Sequence, residues 1–314
     1  MSIAQRLADS ALINPGSDRV RSVAGLARRS ARSRAGRFLT EGPQCVREAL
    51  RAHLGEFDAL VPAPRDGVID ALYISERALQ RHRDIDQLVE RVLQAEGSPR
   101  VFVRMVSDEV LAAMSDAEHP QGVLAVCRIP ELTWAQVAER RPRLVAVMCR
   151  VQDPGNAGTV LRAADAAGAD AVVLTAGSVD LHNPKVVRST AGSLFHLPVL
   201  TGLDPAELVG RPVSDAAGGE LQVLAADGYG ALDLDELQDA SAAGREAAVE
   251  LARPTAWLFG NEAQGLSEQE KALASHRVAV PLHGAAESLN VGTAATLCLY
   301  ASARAQRRTA EGAV

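Results

Sequence analysis

The sequence predicts an α/β protein with two domains, and three observations support this. Between residues 37 and 127, apolar segments of strand length alternate with segments of helical periodicity. Around 130–142 the composition shifts to proline and charged residues, which indicates a boundary. Beyond it, an apolar strand, a helix and a second apolar strand follow directly, an order that favours a parallel sheet. A chain of 314 residues is long enough to bury two cores.

These features give four predicted segments. The first is a short polar N-terminal extension, and the others are an N-terminal domain, a linker and a C-terminal domain. Their predicted bounds are 1–17, 18–128, 129–142 and 143–314.

Composition excludes several classes of protein. The net charge of −6 argues against a chain that coats nucleic acid non-specifically, and the ten aromatic Phe, Tyr and Trp residues are too few for a surface built on base stacking. The four cysteines and seven histidines show no metal-ligand spacing, so reduced, buried cysteines and no metal are expected. The chain shows no secretory signal and no apolar run of about 20 residues, so we expect a cytoplasmic protein that does not cross a membrane.

Positive charge is concentrated near the N-terminus. Seven arginines and one acid lie between Asp18 and Arg37, on a segment whose periodicity predicts one helix over 20–34. A solvated basic helix face is the alternative reading. Because acids do not balance the excess, we predict that Arg28, Arg29 and Arg32 contact RNA phosphates.

Secondary structure is predicted from the apolar patterns. In the N-terminal domain the expected strands are 37–42, 71–74, 101–103 and 122–127, and the expected helices are 43–52, 88–93 and 110–114. In the C-terminal domain the expected strands are 143–151, 171–174, 221–225, 255–259 and 278–280, and the expected helices are 153–167 and 292–307. The acidic, Ala-rich segment 233–252 is expected to be a surface excursion.

Three loops of the C-terminal domain each follow a predicted strand and carry polar side chains. They read DPGNAGTVLR at 153–162, FGNEAQGL at 259–266 and LHGAAESLNV at 282–291. No GK[ST] phosphate loop and no GxGxxG fingerprint occurs, which argues against a nucleotide triphosphatase and a conventional dinucleotide enzyme. Taken alone, Ser288 could be a helix N-cap, Glu262 a capping carboxylate, and Arg162 the partner of Asp165 in a helix-surface ion pair.

As an ordered set, the three loops resemble a known family. NxGxxxR at 156–162, GNExxGL at 260–266 and ESLNV at 287–291 are similar to the three motifs of the SpoU branch of the SPOUT methyltransferases, which methylate RNA ribose 2′-hydroxyl groups. The catalytic domain of that family would cover residue 144 to the end. Residues 19–128, with GRFLTEG at 36–42, resemble the family's L30e-like substrate-binding domain.

The resemblance implies features that spacing alone does not give. The family's catalytic domain is a parallel α/β sheet with a deep trefoil knot, it holds S-adenosylmethionine bent in that knot mostly by backbone groups, and it works as a homodimer. By the same resemblance, the residues expected around the cofactor are Leu224, Ala225, Gly260, Val280, Leu282 and Leu289.

The resemblance also assigns roles at the reacting centre. Arg162 matches the arginine of NxGxxxR, which the family assigns to catalysis, in some proposals as the base. We expect it to grip a phosphate and polarise the hydroxyl, because a guanidinium is a poor proton acceptor, with base action only if the site depresses its pKa. Asn156 and Glu262 are expected to orient the site, and Ser288 and Asn290 to contact the ribose or organise the cofactor pocket. Many relatives have Ser where this chain has Gly292, which puts only details of helix capping in doubt.

The function predicted from the sequence is methyl transfer from S-adenosylmethionine to a ribose 2′-hydroxyl, in 23S (large-subunit) rRNA. Two alternatives stay open at this point: the same chemistry on tRNA, and a non-catalytic RNA-binding factor in ribosome assembly.

Overall fold

The computed structural model describes residues 3–9, 11–57, 66–95, 99–209 and 220–311. Residues 1, 2 and 10 of the predicted extension lie outside the described residues. Within these ranges the strands are β1 (Arg37–Glu41), β2 (Ile69–Ile74), β3 (Phe102–Met105), β4 (Val123–Arg128), β5 (Leu144–Met148), β6 (Ala171–Thr175), β7 (Val199–Leu203), β8 (Gln222–Ala226), β9 (Leu232–Asp233), β10 (Thr255–Phe259) and β11 (His276–Ala279). The α-helices are α1 (Ile3–Ala8), α2 (Asp18–Gly25), α3 (Arg29–Ala35), α4 (Pro43–His53), α5 (Glu76–Arg81), α6 (Arg83–Gln94), α7 (Asp108–Met114), α8 (Trp134–Ala138), α9 (Pro154–Ala167), α10 (Pro184–Ser189), α11 (Leu234–Ala242), α12 (Glu268–Leu273) and α13 (Val291–Glu311).

The chain divides into two compact units. The N-terminal unit comprises Met1–Glu131 together with Asp180–His196, and the C-terminal unit comprises Leu132–Val179 and Leu197–Val314. The segment Asp180–His196 was predicted as part of the second domain, yet it groups with the first. Its side chains explain why: Val186 and Val187 of α10 are fully buried there.

The N-terminal unit is built on a mixed four-stranded sheet of order β1-β4-β2-β3. β4 runs antiparallel to both β1 and β2, and β2 pairs parallel with β3. One face of the sheet forms a core with α2 and α7, in which Tyr73 and Met114 are completely buried. The strands and helices predicted between 37 and 127 all occur, with bounds shifted by a few residues.

The predicted helix over 20–34 is instead two helices. α2 ends at Gly25, and α3 begins at Arg29 after a short turn. The guanidinium of Arg32 donates to the carbonyls of Leu26 and Ala27 in that turn, at 2.8 and 2.6 Å. Helix periodicity did not reveal the break, because a side chain from the next helix stabilises it.

The C-terminal unit is built on an all-parallel seven-stranded sheet of order β7-β6-β5-β10-β8-β11-β9. β5 and β10 are buried on both faces, which explains why their sequences, LVAVM and TAWLF, read as continuous apolar runs. β7 and β9 were not predicted. They are the two edge strands, β7 is half exposed, and β9 has two residues.

Helices cover the faces of this sheet. α13 packs against α9, β5 and β10. The fully buried Trp257 of β10 donates its indole N–H to Ser302 of α13 at 2.9 Å. The segment 233–252, predicted as a surface excursion, contains α11, which buries Leu234 and Leu237 and packs against α13. That prediction was wrong because the acids of the segment masked a narrow apolar stripe.

The described residues contain neither a candidate membrane span nor a candidate metal site. None of their helices is long and apolar enough to cross a membrane, and no group of three or more His, Cys, Asp or Glu side chains among them could hold a metal ion. All four cysteines are buried free thiols, and burial raises the pKa of Cys127 and Cys298 to about 12.

Candidate active site

The three loops singled out in the sequence follow parallel strands. β5, β10 and β11 end at Met148, Phe259 and Ala279, and all three run in the same direction. Their carboxyl ends therefore lie along one edge of the sheet, which we call the carboxyl edge. Open parallel sheets bind ligands at such an edge.

The first loop leads into α9 through an N-terminal cap. Asp153 is the N-cap, and its carboxylate accepts a hydrogen bond of 2.8 Å from the backbone N–H of Asn156. Pro154 occupies the first helical turn, where no intrahelical N–H is needed. The side chain of Asn156 is thereby fixed at the start of the helix, at the carboxyl edge.

The second loop closes on itself within five residues. Asn261 and Gly265 exchange two backbone hydrogen bonds, of 3.1 and 2.8 Å. The side-chain oxygen of Asn261 accepts from the backbone N–H groups of Ala263 and Gln264, at 2.9 and 3.1 Å. This closed turn, which we call the Asn261–Gly265 turn, directs Glu262 toward the first loop.

Gly260 is required for this turn by sterics. A Cβ at Gly260 would lie 2.4 Å from the carbonyl carbon of Gly265 and 2.5 Å from the nitrogen of Leu266. Both neighbours are backbone atoms, so they cannot rotate away. The glycine of the GNExxGL motif thus permits a close approach of two chain segments.

Glu262 connects the second loop to the first. Its carboxylate accepts hydrogen bonds from the backbone N–H groups of Gln152 and Asp153, at 3.3 and 3.2 Å, and from the side-chain amide of Asn156 at 3.0 Å. Partial burial alone would raise the pKa of Glu262, but these three donors, together with the backbone N–H of Glu262 itself, outweigh it and lower the pKa. Glu262 is therefore an anion with three fixed donors near neutral pH.

Asn290 joins the third loop to the other two. Its amide N–H donates to the side-chain oxygen of Asn156 at 2.8 Å, and its own oxygen accepts the backbone N–H of Gly292 at 2.8 Å. Glu262 can only accept, so it fixes which end of the Asn156 amide faces it, and Asn156 in turn fixes Asn290. A continuous hydrogen-bonded chain, Glu262–Asn156–Asn290, connects the three motifs.

Gly292 has a packing role that the sequence did not reveal. It is buried at the first turn of α13, and a Cβ there would lie 2.7 Å from the Thr159 methyl group on α9. The replacement of Ser by Gly in this chain thus accompanies a close approach of α9 and α13, beyond any effect on capping.

Arg150 is a functional-site residue that sequence reasoning missed. It has a positive φ of 55°, which is uncommon for a residue other than glycine, and its backbone carbonyl accepts the Asn261 side-chain N–H at 2.8 Å. Its guanidinium forms a two-pronged ion pair with Glu270, at 3.0 and 2.7 Å, and also donates to the Gly265 carbonyl. Arg150 thus holds the Asn261–Gly265 turn at both ends. The only signal in the sequence is the capping box of Ser267 and Glu270, which does not point to Arg150.

Arg162 lies on the exposed side of α9. The exposed positions of this helix are Gly155, Thr159, Arg162 and Ala166, which follow one another at spacings of three or four residues. Arg162 is the one long side chain in this stripe. Its position six residues after Asn156 corresponds to a rise of about 9 Å along the helix.

The third loop presents exposed side chains and unused backbone groups. Glu287 and Ser288 are exposed, Leu282 is 40% exposed, and Val280 and Leu289 are half-buried. Among the described residues, 280–289 form no backbone–backbone hydrogen bond outside the sheet, and Pro281 alone of them has no N–H to donate. Such a run of free donors and acceptors can bind a polar ligand.

Leu224 and Ala225 are not brought to the carboxyl edge. Both are fully buried in β8, where their backbones pair with β10 on one side and β11 on the other. The strand ends at Ala226, and the first exposed residue after it is Gly228. The contact of Leu224 and Ala225 with the cofactor stays a prediction, and their side chains are buried within the sheet.

The three arginines predicted to bind RNA lie in the N-terminal unit and differ in exposure. Arg28 and Arg29 are exposed, but Arg32 is 3% exposed and forms an ion pair of 2.5 Å with Asp180. The assignment of Arg32 to an RNA-binding surface was wrong. Its charge is neutralised by an acid 148 residues away in the sequence.

Replacing Glu262 by Gln tests the hydrogen-bonded chain. Glutamine has one oxygen for three donors, so we expect the contacts between the loops to weaken. The rate of methyl transfer should fall about tenfold or more at neutral pH. The lowered pKa also determines how the stability of the unsubstituted protein changes with pH. The stabilising effect of Glu262 is complete above its ordinary pKa of 4.5 and is lost as the pH falls through the lowered value.

The measurement is the rate of methyl transfer, together with thermal stability, between about pH 3 and pH 8. Glu268→Gln is the matched control, because the Glu268 side chain is 88% exposed on α12 and pairs only with Lys271 among the described residues. Equal behaviour of the two variants would contradict the role given to Glu262.

Comparison with known proteins identifies the family. Residues 143–300 match the SpoU rRNA Methylase family, and residues 17–125 match the MRM3-like substrate binding domain. The 23S rRNA (guanosine(2553)-2'-O)-methyltransferase RlmP of Bacillus subtilis is 31% identical over 86% of this chain and 89% of that protein. The 23S rRNA (uridine(2479)-2'-O)-methyltransferase of Streptomyces viridochromogenes is 32% identical over 64% of this chain and 67% of that protein.

A solved structure shares the architecture as well. The SpoU methyltransferase AviRb of Streptomyces viridochromogenes, in complex with AdoMet, has a TM-score of 0.71 and 27% identity, and the match covers 93% of this chain and 99% of that one. The resemblance drawn from the three motifs is confirmed. The chain therefore belongs to the SpoU rRNA methylase family, as an RNA ribose 2′-O-methyltransferase with an N-terminal domain of the MRM3-like substrate-binding type.

Proposed function

We propose that this enzyme transfers a methyl group from S-adenosylmethionine to a ribose 2′-hydroxyl of large-subunit rRNA, in the cytoplasm. The observation that carries the proposal is the hydrogen-bonded chain Glu262–Asn156–Asn290, which joins all three family motifs at one edge of the sheet. Two relatives, named as 23S rRNA methyltransferases, support the choice of rRNA over tRNA. The intact chain of polar contacts argues against a non-catalytic factor.

The carboxyl edge fits S-adenosylmethionine, which has a polar amino-acid end, a ribose and a flat adenine base. The unpaired backbone groups of 280–289 supply donors and acceptors, and Leu282 supplies an exposed apolar surface. Gly260, Val280 and Leu289 would complete the wall. When bound, the cofactor supplies a methyl group already activated by a positively charged sulfur.

The remaining task of the protein is to position and polarise the ribose hydroxyl. A guanidinium ordinarily has a pKa above about 12, so Arg162 is better suited to donate than to accept a proton. We assign it to the phosphate beside the target ribose, where its second N–H can polarise the 2′-hydroxyl. The proton of that hydroxyl would pass to solvent water as the oxygen takes the methyl group and S-adenosylhomocysteine leaves. Glu262 is a weak base here, because three donors already stabilise its anionic form; it orients Asn156 instead. Ser288 and Asn290 would contact the ribose from the third loop.

We also propose that the enzyme is a homodimer. The exposed side of α13 carries Leu297 and Tyr300, which are 43% and 47% exposed, and α13 packs on the helix that carries Arg162. A second copy covering these side chains would bury apolar surface next to the site. Sedimentation of the purified protein should give twice the mass of the chain, and a monomer at micromolar concentration would contradict this assignment.

The deep trefoil knot implied by the family is proposed for the chain from β10 to α13, which includes the second and third loops. A knot would hold the two loops against each other without further contacts. A crystal structure in which the chain trace from β10 to α13 is unknotted would contradict it.

Incubation with labelled S-adenosylmethionine tests the proposed substrate. Deproteinised large-subunit rRNA and total tRNA are offered separately, and we expect label in the rRNA only. Label in tRNA alone would move the assignment to the tRNA alternative. Failure to bind S-adenosylmethionine at all would favour the non-catalytic alternative.

A further inference from the structure

A cluster of two arginines and one aromatic ring lies on the N-terminal unit, where Arg19 of the basic block meets Phe102 and Arg104 of β3. The guanidinium carbons of Arg19 and Arg104 lie 3.9 and 4.1 Å from the ring centre of Phe102. These two distances put the guanidinium groups at most 8.0 Å apart. Stacking on a ring fixes the plane of a guanidinium and leaves its N–H edge free to bind a ligand.

Neither guanidinium is neutralised by a carboxylate among the described residues. The one side-chain hydrogen bond given for Arg104 goes to the carbonyl of the preceding residue, Val103, at 2.8 Å. Most other arginines of the N-terminal unit are paired with acids. Examples are Arg37 and Arg128 with Asp70, Arg47 with Asp84, and Arg91 with Glu56.

The neighbouring strand supplies one acid, which is paired with other arginines. Phe102 and Arg104 lie on β3, whose partner β2 contributes Asp70 and Tyr73, and Tyr73 stands directly opposite Arg104. Asp70 is the acid that acts on this region, and it is shared by Arg37 and Arg128. Asp70 is therefore already paired with two other arginines and does not neutralise Arg19 or Arg104.

A buried hydroxyl beside the cluster lacks a partner. The hydroxyl oxygen of Tyr73 is buried and has no hydrogen-bond partner, and the charges that act on it are those of Arg19, Asp70 and Arg104. Buried hydroxyl groups are nearly always hydrogen bonded in folded proteins. The Tyr73 ring lies 6.3 Å from the ring of Phe102, so this unpartnered polar side chain is packed against the aromatic ring on which the two guanidinium groups lie.

We propose that Arg19 and Arg104, held in place by Phe102, bind a backbone phosphate of the substrate RNA. This inference rests on the proposed function for the identity of the RNA. The planar guanidinium group of arginine matches phosphate oxygens in geometry and charge. An RNA backbone presents phosphates at regular intervals, one of which can bind to Arg19 and Arg104. The contact positions the RNA and carries no base specificity. It adds a phosphate-binding site that is separate from Arg28 and Arg29.

The test compares two double variants with the same change in net charge. Arg19→Gln with Arg104→Gln removes the proposed site, whereas Arg47→Gln with Arg91→Gln removes two arginines of the same unit that are already paired with acids. Binding to deproteinised large-subunit rRNA is measured at several salt concentrations. We expect the first variant to raise Kd about tenfold or more near 0.1 M salt and to lower the salt slope by roughly 0.7–0.9, the loss for one phosphate contact.

Two further measurements keep the result interpretable. Thermal unfolding shows whether each variant is folded. Arg19→Lys keeps the charge and loses the planar guanidinium group, so its Kd for rRNA should lie between those of wild type and the Arg19/Arg104 double variant. Binding of S-adenosylmethionine should be unchanged in every variant. If wild type fails to transfer methyl groups but its RNA binding still depends on Arg19 and Arg104, the proposed function fails and this inference stands.

Three outcomes would overturn the inference. They are rRNA binding by the folded Arg19/Arg104 variant at the wild-type level, an equal loss in the Arg47/Arg91 control, and displacement of rRNA by polyglutamate at equal charge concentration. The last outcome would assign the surface to an acidic peptide.

Discussion

Arg162→Ala is expected to lower the rate of methyl transfer by at least about a hundredfold to a thousandfold, the loss typical for removing one preorganised donor at a reacting centre. Arg162 is exposed on α9, so its removal leaves no cavity and no buried partner unpaired. The binding constant for S-adenosylmethionine should therefore change by less than about threefold. Single-turnover methylation of rRNA and calorimetric titration of the cofactor measure the two effects.

The control for Arg162 is an arginine of the same unit that lies away from the carboxyl edge. Arg253 is exposed immediately before β10, at the opposite edge of the sheet. Arg253→Ala should transfer methyl groups at the wild-type rate. Turnover of Arg162→Ala near the wild-type rate on the true RNA would refute the role assigned to Arg162.

Gly260→Ala is expected to disrupt both the second loop and cofactor binding. The added Cβ would lie 2.4 Å from a backbone atom of Gly265, so the Asn261–Gly265 turn must open. Overpacking of this kind costs about 1–3 kcal/mol, and displacement of Glu262 adds the loss of its three hydrogen bonds. We expect the melting temperature to fall by several degrees and Kd for S-adenosylmethionine to rise at least about tenfold.

Gly284→Ala separates this steric effect from the general effect of replacing a glycine. Gly284 lies in the third loop, has no atoms within 4 Å of its hypothetical Cβ and does not have a positive φ. Its replacement by Ala should leave the melting temperature unchanged. Equal destabilisation by the two substitutions would show that the close approach at Gly260 is not what constrains the loop.

The central strands could be predicted from the sequence because they are buried on both faces. TAWLF at Thr255–Phe259 was predicted with its observed bounds, and LVAVM was found within a slightly longer run. Edge strands carry no such signal: β7 is partly exposed, and β9 is too short to show a period.

The three motifs could be found because each is short and local, and their order along the chain carries the family resemblance. What sequence could not give is the partner of each side chain. Arg32 reads as part of a basic surface until Asp180 is seen beside it, and Arg150 reads as the end of a strand until Glu270 is seen to bind it. Both partners are more than a hundred residues away in the chain. Contacts at such separations leave no periodic signal.

The central claim is that the carboxyl edge directs a methyl group to a ribose oxygen rather than to a base. Alkaline hydrolysis of rRNA labelled by the enzyme tests this directly, because a 2′-O-methyl group blocks cleavage of the adjacent phosphodiester bond. We predict that the label will be recovered in an alkali-resistant dinucleotide from large-subunit rRNA, and that Arg162→Ala will yield none. Recovery of the label in mononucleotides would place the methyl group on a base and would contradict the account.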